Sequence, residues 1–112
     1  MTKLQKTDDT NDLVVINLDR PRFLRFGHKA LKQLTLLTGT NLDKMDENDF
    51  GLEEVEKVIW CGLQQDAKEH GENLALDQME DLLDLANSYS EILEAMHLGL
   101  EQAFKRTEKE KN

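Results

Sequence analysis

One cysteine, three histidines and scattered carboxylates are the residues of this chain that could do chemistry. Cys61 stands in the apolar run Val58-Ile-Trp-Cys-Gly-Leu63, beside the only tryptophan, Trp60. A nucleophilic cysteine needs a base and a polarised, accessible setting. No histidine adjoins Cys61, and a free cysteine in such a run behaves as a small hydrophobe. His28, His70 and His97 lie far apart, and none has a ligand residue at zinc-finger or His-Glu-x-x-His spacing. Asp46, Asn48 and Gly51 match three positions of a calcium loop, but Phe50 takes the fifth and Lys57 the twelfth. The twelfth position needs a bidentate glutamate, and a lysine there repels the ion. The stretch Leu37-Thr-Gly-Thr-Asn41 lacks the lysine and spacing of a phosphate loop. Glu53/Glu54 and Asp81/Asp84 fall on polar helix faces, where carboxylates are solvated charge. These patterns predict no catalytic residue, no metal site, no cofactor and no enzyme.

The elements that carry these residues follow from hydrophobic spacing. Val14, Ile16 and Leu18 alternate, as do Leu24 and Phe26, and Pro21 suits a turn between them. The pattern predicts a β-hairpin within residues 13–26, with strands Leu13–Asp19 and Arg22–Phe26 and with Arg22, Phe23 and Arg25 partly exposed. A lone hairpin is marginal in water, so it must lie on something. Ala30, Leu31, Leu34 and Leu37 predict a first helix over His28–Thr38, stopped by Gly39. An acidic linker follows, with one turn at Asn41–Met45. Leu52, Val55, Ile59, Gly62 and Leu63 line one face of a second helix that ends near His70. Asp77 and Glu80 read as a capping box for a third helix striped by Leu76, Met79, Leu82, Leu83 and Ala86. Ser88 and Glu91 offer a second box, opening a fourth helix to about Arg106.

The expected fold is mainly α: a small bundle of about four helices behind an N-terminal hairpin. Residues 1–12 are expected to be a flexible arm, 13–106 one domain and 107–112 a flexible tail. Leu31, Leu34, Val55, Ile59, Trp60, Leu63, Leu82 and Leu83 are the expected core. Trp60 points away from the main stripe of its helix, so the chain's own helices are expected to cover it, with Gly62 letting one pass close. Met96, Leu100 and Phe104 on the last helix have two readings, core packing or a partner-binding face.

Charge narrows the partners. The formal net charge is -9, which repels phosphate and anionic lipid and argues against nucleic acid and membrane surfaces. Arg20, Arg22, Arg25 and Lys29 form a local basic cluster. A single cysteine cannot make an internal disulfide, no apolar stretch is long enough to span a bilayer, and the first twelve residues lack the core of a signal peptide. The expected setting is cytoplasmic.

The order of elements resembles a known family. A hairpin ending Arg22-Phe-Leu-Arg-Phe26 precedes a helix closed by Gly39 and an acidic linker. A helix with Ile59-Trp-Cys-Gly-Leu63 and Asp66 follows, and then an acidic start at Asp77 before Leu82 and Leu83. Over Leu13 to Phe104 this pattern is similar to the small tail assembly chaperones of long-tailed bacteriophages. The resemblance implies a protein that binds the phage tape measure protein in the host bacterial cytoplasm and keeps it soluble. Such a chaperone yields to tail tube subunits and is absent from the mature virion. Edge pairing of the hairpin would make it a homo-oligomer. A different class fits the same composition: a small acidic helical regulator or adaptor, of transcription-regulating or anti-repressor type. Its DNA-reading helix would have to be the first, through Lys29, Lys32 and Gln33.

Overall fold

The computed structural model describes residues 14–39 and 50–111, with side chains as far as Phe104. The expected arm 1–12, Leu13 and the turn at Asn41–Met45 lie outside the described residues. Two antiparallel strands, β1 (Val14–Asn17) and β2 (Pro21–Leu24), come first, with Val14 opposite Leu24 and Asn17 opposite Pro21. Four helices follow among the described residues: α1 (His28–Thr38), α2 (Leu52–Glu69), α3 (Met79–Leu83) and α4 (Tyr89–Lys111). A 3-10 turn, Leu76–Gln78, leads into α3. The chain is thus mainly helical behind a hairpin, as its hydrophobic spacing predicts.

Central to the packing is α2, which touches α1, β2, α3 and α4, while β1 lies over α4. Of the expected core, Leu34, Val55, Ile59, Leu63, Leu82 and Leu83 are buried. Leu31 and Trp60 are half-buried and pack against that core. The indole of Trp60 packs against that core, and its Nε1–H donates to the Leu74 carbonyl, in the loop after α2, at 3.0 Å. An indole needs such a partner when its ring is buried.

The close approach at Gly62 comes from the hairpin side, not from a helix. A Cβ there would lie 2.7 Å from Phe26 Cζ and 2.8 Å from Leu24 Cδ2. Gly99 of α4 receives the other side of the same ring, where a Cβ would lie 2.8 Å from Phe26 Cε2. Two glycines thus make the slot for one aromatic ring, which is how the hairpin finds the support it needs.

Several boundaries differ from the sequence expectation. Pro21 opens β2 instead of occupying the turn, since the first residue of a strand tolerates a missing N–H. Arg22 is buried, not partly exposed, because period-two alternation puts it on the face of Leu24 and Phe26. Asp77 does not cap α3; Gln78 Oε1 accepts from the Ala75 N–H at 2.7 Å and sets the start one turn earlier. The Ser88 hydroxyl does accept from the Glu91 N–H, at 3.3 Å, at the mouth of α4. That helix continues to Lys111, past Arg106, through glutamate and lysine, both good helix formers. Gly39 closes α1 in the left-handed region with φ of 69°, its N–H donating to the Thr35 carbonyl at 2.8 Å.

Candidate functional site

The C-terminal end of α2 is sealed to the hairpin. Asp66, only 1% exposed, faces the Arg20 and Arg22 side chains. Arg20 Nη2 donates to Asp66 Oδ2 at 2.8 Å, and the Phe23 N–H donates to Asp66 Oδ1 at 3.4 Å. Arg22 forks onto Asp19, with Nε donating to Oδ1 at 2.8 Å and Nη2 to Oδ2 at 3.0 Å. Its Nη1 reaches Glu72 Oε1 at 2.9 Å, where Arg20 Nη2 also donates at 3.0 Å. The Arg25 N–H donates to the Gly62 carbonyl at 2.9 Å. The outer edge of β2 is therefore satisfied by α2 instead of by another strand.

The charges of this seam hold one another. Hydrogen bonding to Arg22 lowers the Asp19 carboxyl below its ordinary value, and hydrogen bonding to Arg20 does the same for Glu72. Arg22 is pushed up, chiefly by its bond to Asp19. Carboxylates paired in this way are bound to cations and are poor proton acceptors, so the cluster acts as a clamp. It was not legible as a unit. Its signal in the sequence was Arg22 standing on an apolar strand face, which requires buried acceptors.

Beside the seam, Arg25, His28, Lys29 and Lys68 line a groove of about 430 Å³ with Gln33, Gln64 and Cys61. Cys61 is buried, and desolvation pushes its thiol up to about 12, which keeps it protonated at neutral pH.

The N-terminal end of α2 is open. Leu52, Glu56, Glu80, Leu83, Asp84, Tyr89 and Ile92 enclose a notch of about 240 Å³. Leu83 and Ile92 are buried and form its floor, while Leu52 (69% exposed) and Tyr89 stand at its sides. Glu56, Glu80 and Asp84 supply carboxylates, and among the described residues no lysine or arginine lines it. Burial and the charge of Glu56 raise the Tyr89 phenol above its usual value. Beyond the notch, Tyr89, Leu93 and Phe104 of α4 are partly exposed, with buried Leu100 between Leu93 and Phe104. At about 100° per residue these three lie within about 60° of arc.

Of the three residues weighed as a partner-binding face, Met96 and Leu100 are each 2% exposed and belong to the core. Of the three, only Phe104 lies at the surface. Leu52, which the spacing places on the apolar face of its helix, is exposed, as are Tyr89 and Leu93. Tyr89 and Leu93 hide in the same three/four spacing as the core stripe, offset by a fraction of a turn.

Among the described residues no group of three histidine, cysteine, aspartate or glutamate side chains could hold a metal ion. No described helix is long and apolar enough to cross a membrane. No known family model, curated protein or solved structure matches the chain.

Proposed function

We propose that this protein is a tail assembly chaperone of a long-tailed bacteriophage, which binds the tape measure protein in the bacterial cytoplasm and keeps it soluble. It later yields the client to tail tube subunits and does not enter the mature virion. The observation that supports this reading best is the strip of Tyr89, Leu93 and Phe104 on α4. An apolar strip on a long helix is the surface a client helix can lie against. Exposed Glu94 and Glu101 lie along one side of it, and a negative coat keeps many copies soluble along one client. In this reading the chain works by binding and has no catalytic step.

Co-expression tests it. The tape measure protein should move from the insoluble to the soluble fraction when this chain is present. Leu93→Ser with Phe104→Ser should weaken co-purification while leaving helicity unchanged. Equal client solubility with and without the chain would refute the proposal.

A further inference from the structure

The basic residues near the hairpin fall into two groups. From Arg20 to Asn41 there are five lysines and arginines and no acid. Arg20 and Arg22 are consumed in the seam with Asp66, Glu72 and Asp19. Arg25 and Lys29 instead line the groove of about 430 Å³ between α1 and α2, with Lys68 from the last turn of α2 and the His28 imidazole. Among the described residues no aspartate or glutamate lines it. The acids beside Lys68 on α2 are engaged: Asp66 pairs with Arg20, and Glu69 accepts from Gln65 Nε2 at 3.0 Å.

The start of α1 adds charge of the same sign. Its first turn carries no acid, and its N-cap, Gly27, has no side chain to satisfy the free N–H groups. Gly27 and that first turn are part of the groove wall. The Arg25 guanidinium lies against this end, because a Cβ on Gly27 would be 3.1 Å from Arg25 Nη1. A cation at the positive end of a helix dipole is unfavourable unless a negative charge joins them. Half-buried Gln33 also lines the groove and has no hydrogen-bond partner among the described residues. Three cations, a helix N-terminus and an unused amide thus meet in one concavity, which focuses their field.

We propose that this groove binds a phosphate-type oxyanion, either free or as the terminal group of a small phosphomonoester. Its oxygens accept from the first-turn N–H groups of α1, and Arg25, Lys29 and Lys68 add charge-assisted bonds from the hairpin exit, α1 and α2. The groove has room beyond one phosphate group, and Ala30 and Cys61 give its wall an apolar part for a small organic group. A polyanion such as nucleic acid is disfavoured, because the net charge of -9 repels its remaining phosphates. The groove shares no residue with the notch at the start of α2, and the proposal does not rest on client binding.

Isothermal titration calorimetry of the whole chain tests this with inorganic phosphate and adenosine monophosphate, each at constant ionic strength against a chloride control. Both phosphates should bind and chloride should not. Tighter binding of the nucleotide assigns the site to a phosphomonoester, and equal or weaker binding assigns it to free phosphate. Lys29→Gln and Lys68→Gln, both at exposed positions, should each weaken binding about tenfold with helicity unchanged. Lys32→Gln removes the same charge from α1 outside the groove and should bind like the wild type. Phosphates that bind no better than chloride overturn the proposal, as does a glutamate-rich peptide that binds where neither phosphate does. Equal losses in Lys32→Gln and Lys29→Gln also overturn it, since the attraction would then be diffuse surface charge.

Discussion

The two ends of α2 solve opposite problems. At the C-terminal end, charged groups have been taken out of water, and every one of them is paired: Asp66 with Arg20 and Arg22, and Arg22 in turn with Asp19 and Glu72. At the N-terminal end, Leu52 and Tyr89 are exposed among the described residues. The first arrangement holds the hairpin in place. The second leaves a surface that another molecule can complete. A single helix therefore divides the protein into a sealed, ion-paired region and a region with exposed apolar side chains.

Substitutions should separate the two regions. The largest effect is expected in the core between them. Met96→Asp with Leu100→Asp puts two unpaired charges where each residue is 2% exposed, and should abolish the helical circular dichroism signal at 25 °C. Retained helicity would mean that α4 can turn these residues outward. Next is the seam: Asp66→Ala leaves Arg22 buried with fewer acceptors and should cost about 3 to 5 kcal/mol in urea unfolding. Glu80→Gln at the notch is the matched control and should stay within about 0.5 kcal/mol of wild type.

A smaller effect is expected at the Phe26 slot. Gly62→Ala adds a methyl that would sit 2.7 Å from a ring already pinned from the Gly99 side. Overpacking costs about 1 to 3 kcal/mol, and the better helix propensity of alanine returns up to about 1 kcal/mol. A net destabilisation is expected, read as a lower urea midpoint with unchanged slope.

The smallest effect is the response to acid. Asp19 and Glu72 have folded values below their ordinary 3.8 and 4.5, so the native state binds fewer protons than the unfolded chain. Their stabilisation is present above those values and is lost as pH falls through and below them. Both carboxylates are partly exposed, so salt screens the contribution. Urea midpoints should fall between about pH 5 and pH 3, and Arg20→Gln, which removes a partner of Glu72, should reduce the fall. An equal fall in that variant would place the acid sensitivity elsewhere.

Much of the fold was legible because it depends on local spacing. The stripe Val55, Ile59, Gly62 and Leu63 fixes α2, and Gly39 marks the end of α1 by supplying a left-handed residue. The seam was not legible, because it joins Asp19, Arg20 and Arg22 to Asp66 and Glu72 across more than forty residues of chain. No local pattern states such a pairing. Gly62 pointed correctly to a close approach, but only packing tells that a hairpin ring makes it. On α4, Met96 and Leu100 share their spacing with Tyr89, Leu93 and Phe104. The side that faces the core is decided by where α2 and the hairpin lie, which periodicity alone does not contain.

Hydrogen–deuterium exchange of the whole chain tests the contrast between the two ends most directly. Peptides from β2 and from the Asp66 end of α2 should show strong protection. Peptides covering the start of α2 at Leu52 and the segment from Glu80 to Tyr89 should exchange faster. Equal protection at the two ends, or stronger protection at the notch, would contradict the division of the molecule into a sealed end and an open end.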